Sequence, residues 1–120
     1  MTKQQPSDRI ELVYGSLDML ILRTLLWGPI HGHGIAKSIE RASDETLKVE
    51  HGSLCPALQR LQQEGWISAK WGVSKNKHRA KYYRLTAAGR RQFAAETSRW
   101  ERFVRAITGV LRPAESEEGQ

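Results

Sequence analysis

Apolar residues recur along this chain with the three-and-four spacing of helices in four stretches, and the breaks between them fall on glycine, proline or serine. Leu17, Leu20, Ile21 and Leu25, flanked by Met19, Leu22 and Leu26, make one broad apolar face. Gly15 and Ser16 supply its break and cap, Asp18 suits its first turn, and Gly28-Pro29 ends it, so a core helix is predicted. A turn-rich His31-Gly-His-Gly leads to a second helix with Ile35, Ala36 and Ile39 inward, Lys37, Glu40 and Arg41 toward water, and its end near Ala42 or Ser43. Leu47 and Val49, two apart, suggest a short strand. Ahead of all this, residues 1–7 are polar and expected to fray, while Ile10, Leu12 and Val13 begin the apolar pattern.

Residues 51–65 predict a third helix. Leu54, Leu58 and Leu61 form its buried stripe, Ser53 is the expected N-cap, and Gly65 can adopt the left-handed conformation that closes it. With that start Pro56 falls in the first turn, where its missing N–H has no partner to lose. A start nearer His51 would put the proline deeper and require a bend or a tight first turn.

Beyond Gly65, β-favouring residues at 66–71 and 81–85 flank a loop at 72–79, which predicts a hairpin. Thr86 then caps a long helix from Ala87 to about Leu111, stopped by Pro113. Trp100, Phe103, Ile107 and Val110 follow a coiled-coil seam with Val104 and Leu111 beside it, although Glu96 and Thr97 break the pattern one turn earlier. A compact domain has no place to bury so long a ridge, so a second subunit is its natural cover. Trp27, Trp66 and Trp71 are expected as core or hairpin anchors. The predicted fold is mainly α with a small β-hairpin: a winged helix-turn-helix followed by a long C-terminal dimerisation helix. Residues 8–86 would form the winged unit, 87–112 the dimerisation helix, and 113–120 an acidic, disordered tail.

Charge sharpens this picture. The chain of 120 residues carries a net charge of +6, and from Gly65 through Ala95 there is no Asp or Glu. Lys70, Lys75, Lys77, Arg79, Lys81, Arg84, Arg90 and Arg91 fall inside that window, so eight of the nineteen basic residues stand together unopposed. Such purity points to a polyanion. Opposite the leucine stripe of the third helix lie Ser53, Gln59, Arg60, Gln62 and Gln63, groups that hydrogen-bond base edges and phosphates without repelling a phosphate backbone. Whether Gln59 and Arg60 address bases or phosphates is open at this level. Lys75, Lys77, His78 and Arg79, in the loop, suit phosphate or minor-groove contact, because charge on a loop tip needs little precision.

With these elements in order, the sequence resembles the PadR family of bacterial winged-helix repressors. The matching residues are Gly15-Ser-Leu-Asp-Met-Leu-Ile-Leu, His31-Gly-His-Gly-Ile, Gly52-Ser-Leu-Cys-Pro-Ala-Leu-Gln-Arg-Leu and Lys81-Tyr-Tyr-Arg-Leu-Thr-Ala-Ala-Gly89. The likeness spans about residues 7–111, and the single C-terminal helix is similar to the small subfamily. It implies a homodimer on a roughly palindromic double-stranded operator, with the two reading helices about 34 Å apart in successive major grooves and the wings on a minor groove or phosphates. It also implies that a small molecule or stress signal lowers DNA affinity. Carried onto this chain, it assigns DNA contact to Ser53, Leu54, Cys55 and Pro56 at the front of the reading helix and to Lys81 and Tyr82 at the wing base. The family usually has tyrosine where this chain has Cys55. In some relatives an aromatic on the last helix lines a pore between subunits and stacks planar compounds, and Trp100 is the residue in that place here.

Other chemistry is thinner. Cys55 near a helix start invites a redox reading, against which stands a simple small replacement for tyrosine. His51 and Cys55 have the i,i+4 spacing of a metal pair, and His31 and His33 are metal-capable, but turn histidines are the plainer reading and no metal or other cofactor is expected. No nucleophile, base and orienting group cluster, so an enzyme is not expected. One cysteine excludes an internal disulfide. With no spanning apolar segment and no leader-like start, the expectation is a cytoplasmic, nucleoid-associated protein without membrane contact. The favoured function is a dimeric repressor. The alternatives are a sensor of aromatic compounds with its pocket at the dimer interface, and a winged module that docks proteins, which would leave the basic wing unexplained.

Overall fold

The computed structural model describes residues 16–112, so the expectations for the first fifteen residues and for the acidic tail lie outside the described residues. Four helices and a three-stranded antiparallel sheet follow in the order α1 (Ser16–Leu25), β1 (Ile30–His31), α2 (Gly32–Ala42), α3 (His51–Gln63), β2 (Ile67–Val73), β3 (Arg79–Leu85) and α4 (Ala87–Leu111). This is the winged helix-turn-helix expected from the apolar pattern. One strand differs in place. Leu47 forms no more than an isolated bridge, and the third strand is Ile30–His31, which pairs with Tyr83 and Tyr82 of β3 so that the sheet runs β1-β3-β2. A two-residue strand leaves too short a period for any sequence pattern to reveal it.

The core is a three-helix cluster closed by the sheet. Ile21, Leu22 and Leu25 of α1, Ile35 and Ile39 of α2, and Leu54, Leu58 and Leu61 of α3 are buried together with Ile67 of β2. Each such side chain contributes about 1.5–3 kcal/mol by leaving water. Glu40, expected to face water, is instead buried at 9% exposure. Its Oε2 accepts the Val49 N–H at 3.0 Å, and so it ties the end of the turn after α2 and fixes where α3 begins. The turn itself takes Asp44 and Glu45 through positive φ.

At the other end, Gly65 at φ +80 closes α3, and Thr86 binds that closure to α4. The Thr86 hydroxyl donates to the Gly65 carbonyl at 2.7 Å and accepts from the Gly89 N–H at 3.0 Å, while the Thr86 N–H donates to the Trp66 carbonyl. Gly89 is buried so tightly that a Cβ there would lie 2.0 Å from the Trp66 oxygen. The first turns of α4 therefore lie on the hairpin and α1, with Phe93 packed against the core. Of the tryptophans, Trp66 packs on the core as expected, but Trp27 is 81% exposed, with the Arg23 guanidinium 5.1 Å over its ring. The chain turns at Leu26-Trp27-Gly28 before β1, which carries the indole off the apolar face of α1.

Candidate nucleic-acid interface

The third helix starts three residues earlier than its sequence suggests. Glu50, in extended backbone, is the N-cap, and its carbonyl already accepts from Ser53 and Leu54. Ser53 is therefore inside the first turn and exposed, and Pro56 lies within the helix. The proline is tolerated there because both it and Gly52, whose carbonyl would have received the missing N–H, are exposed to water. Leu54 corrects the assignment carried over from the resemblance. At 1% exposure it is a core residue under the helix, reaching the cleft only at its floor.

Beside the exposed face of α3 runs a cleft lined by Cys55, Gln59, Gln62, Gln63, Lys81 and Tyr83. It continues past Cys55, Lys81 and Tyr83 to His31, His33 and His51. The helix supplies amides at positions one turn apart, and β3 supplies the cation and the phenol at positions two apart, on one face of the strand. Lys81 thus joins the exposed residues of α3. Tyr82, between them in sequence, does not line the part of the cleft that holds Gln59; its ring lies edge-on to His31 at 5.6 Å and close under Gly72. Arg60 is turned the other way and is held by the Asp18 carboxylate of α1.

Burial raises the Tyr83 hydroxyl above the ordinary phenol value of 10.0, and the adjacent Cys55 thiol pushes in the same direction. The thiol is exposed and sits a full turn inside the helix that begins at His51. Among the described residues no three His, Cys, Asp or Glu side chains are arranged to hold a metal ion.

The wing is the hairpin of β2 and β3, in register from Ile67 opposite Leu85 to Val73 opposite Arg79. Its turn at 74–78 is closed by Ser74, whose N–H donates to the His78 carbonyl at 2.8 Å and whose carbonyl accepts from Lys77 at 2.9 Å. Lys75, Lys77 and His78 stand exposed on this turn, and Lys77 adopts a left-handed φ of 63. Arg79 is exposed too, but its guanidinium lies 4.8 Å over the Trp71 ring, so it is steered by the hairpin rather than loose at the tip. Trp71 is accordingly a wing-surface residue.

On α4 the apolar ridge stays uncovered. Trp100 is 37% exposed, Phe103, Val104 and Ile107 are more so, and Val110 and Leu111 more still, as the helix runs out past the winged unit. The Trp100 and Phe103 rings touch at 5.8 Å between centroids, tilted by 39°.

A three-helix core, an exposed polar helix beside a cleft and a basic wing define the winged helix-turn-helix class. The profile of the transcriptional regulator PadR-like family matches residues 21–95, and the chain belongs to that family. Among solved structures it is similar to a transcriptional regulator from Clostridium thermocellum, at 30% identity and a TM-score of 0.73 over 80% of this chain and 93% of that one. A PadR family transcriptional regulator from Eggerthella lenta superposes with a TM-score of 0.68 at 29% identity, over 81% of this chain and 82% of that one. A protein of Lysinibacillus sphaericus is 27% identical over 92 residues, 77% of this chain and 84% of the relative. No described helix is long and apolar enough to cross a membrane.

Proposed function

We infer that this regulator is a homodimeric repressor that grips a roughly palindromic operator and releases it on a small-molecule or stress signal. The observation that carries the reading is the single concave face on which Cys55, Gln59, Gln62 and Gln63 of α3 meet Lys81, next to a wing bearing Lys75, Lys77, His78 and Arg79. Ser53 and Pro56, exposed near the front of the helix, extend that face. The amides address base edges in a major groove, and the wing cations bind phosphates or a minor groove. Tyr82 supports the wing from its other face. Residues 8–86 would be the DNA-binding unit, and the ridge of Trp100, Phe103, Val104, Ile107, Val110 and Leu111 would seat the second subunit.

Gel-shift titration of the DNA upstream of its own coding sequence tests this reading, with and without planar aromatic compounds. Saturable binding that weakens steeply with salt is expected; binding indifferent to salt would favour a protein-docking module instead. A second reading, an effector pocket between subunits, draws on Trp100, whose indole is part-exposed against Phe103. Dye quenching of tryptophan fluorescence that is lost in Trp100→Ala supports it, and equal quenching in both proteins removes it.

A further inference from the structure

The starts of α2 and α3 bring three histidines into one ladder. The His31 and His33 rings stack at 6.4 Å and 17°, and the His33 and His51 rings at 6.4 Å and 11°. Sequence separates the last pair by eighteen positions; the turn of the helix-turn-helix closes the gap. The ladder borders the cleft that also holds Lys81. His33 and His51 are exposed, whereas the His31 Nδ1 accepts the Gly34 N–H at 3.0 Å as the cap of α2. The His31 Nδ1 is thus engaged by the helix start, and the two outer rings are the ones that face water.

We propose that His33 and His51 form a proton-dependent phosphate clamp, binding a DNA phosphodiester at the edge of the reading helix and taking up protons as it arrives. This rests on the DNA reading above and names a contact beyond it. Two stacked imidazoles repel each other when both are charged, and neither first turn carries an acidic residue to offset them. A phosphate between or beside them supplies the missing anion. The surrounding charges are consistent with this. Lys81 from β3 adds to the positive field, whereas Lys37, one turn along α2, is paired with the Glu40 carboxylate at 3.9 Å. Glu50, preceding His51, is the nearest acid in sequence, and Cys55, Tyr82 and Tyr83 are the other titratable neighbours. Imidazoles ordinarily titrate near pH 6.5, so linkage gives affinity that rises as pH falls through neutrality, by up to about tenfold per pH unit for each proton taken up.

The test is fluorescence anisotropy of a labelled duplex at fixed salt between about pH 5.5 and 8, for the full chain and for the double variant His33→Gln/His51→Gln. Both substituted positions are exposed, and circular dichroism over the same range checks that the fold is kept. The expected result is a slope against pH that is markedly shallower in the double variant. His78 on the wing contributes equally to both proteins and cancels in the comparison. Equal slopes overturn the clamp while leaving the DNA reading intact. Absence of duplex binding by either protein at every pH overturns both.

Discussion

The guanidinium of Arg60 on α3 is held by the carboxylate of Asp18 on α1, across 42 positions of sequence. The longest cation on α3 is thereby drawn back onto the body of the domain. Asp18 is largely covered while Arg60 is half exposed, so the bridge is worth at most about 1 kcal/mol. Asp18→Asn is expected to lower stability by less than that in urea melts, and to strengthen duplex binding a few-fold at low salt, since an acid is removed and Arg60 is released. Unchanged or weaker binding would show that Arg60 is not held back from the nucleic acid.

Gly89 and Gly109 make opposite predictions on one helix. A Cβ at Gly89 would strike the Trp66 carbonyl at 2.0 Å and the Leu85 side chain at 2.8 Å, while one at Gly109 meets nothing within 4 Å. Gly89→Ala is expected to cost about 3 kcal/mol through forced separation of α4 from the hairpin. Gly109→Ala is expected to add about 0.5–1 kcal/mol from helix propensity alone. Urea midpoints of the two variants against the parent chain decide the matter.

On the wing, Lys77 combines a left-handed backbone with a charge expected to meet phosphate. Lys77→Gly separates the two contributions. Stability should hold or rise by up to about 1 kcal/mol as strain is relieved, while the salt slope of DNA binding falls by about one unit. A slope left unchanged would remove Lys77 from the contact surface.

Tyr83 couples the cleft to alkaline pH. Its hydroxyl is raised above 10.0 by burial first and by Cys55 second, so the folded state favours the neutral phenol more than the unfolded chain does. Stability from this group is complete below pH 10.0 and is lost as pH climbs from there through the raised value. Tyr83→Phe should flatten that alkaline decline in denaturant melts, and tyrosinate absorbance should show one late-titrating phenol in the parent.

If the α4 ridge seats a second subunit, a charge placed on it must separate the pair. Phe103→Glu or Ile107→Glu is expected to yield a monomer in sedimentation equilibrium, with the winged unit still folded by circular dichroism. Operator affinity should fall at the same time, because two reading helices no longer act on one duplex. A parent chain that is already monomeric would refute the dimer directly.

The apolar spacing of Leu17 to Leu25, Ile35 to Ile39 and Leu54 to Leu61 carried the three-helix core, and the acid-free run from Gly65 to Ala95 carried the wing. Those features are local, since periodicity and charge are properties of neighbours in the chain. What the chain order hid depended on contacts across it. Glu40 is buried because the Val49 N–H needs an acceptor nine positions away, and β1 exists because Tyr82 and Tyr83 present a strand edge to Ile30 and His31.

By itself, then, the sequence determined the order of the four helices and the hairpin, the winged architecture and the family, because each is written in short-range patterns that survive any packing detail. The tertiary structure alone decided that α3 begins at His51, that Leu54 is withdrawn and Arg60 tethered, and that three histidines form one stack. A side chain's availability is set by the elements folded against it, and no spacing along the chain encodes which neighbour will reach it first.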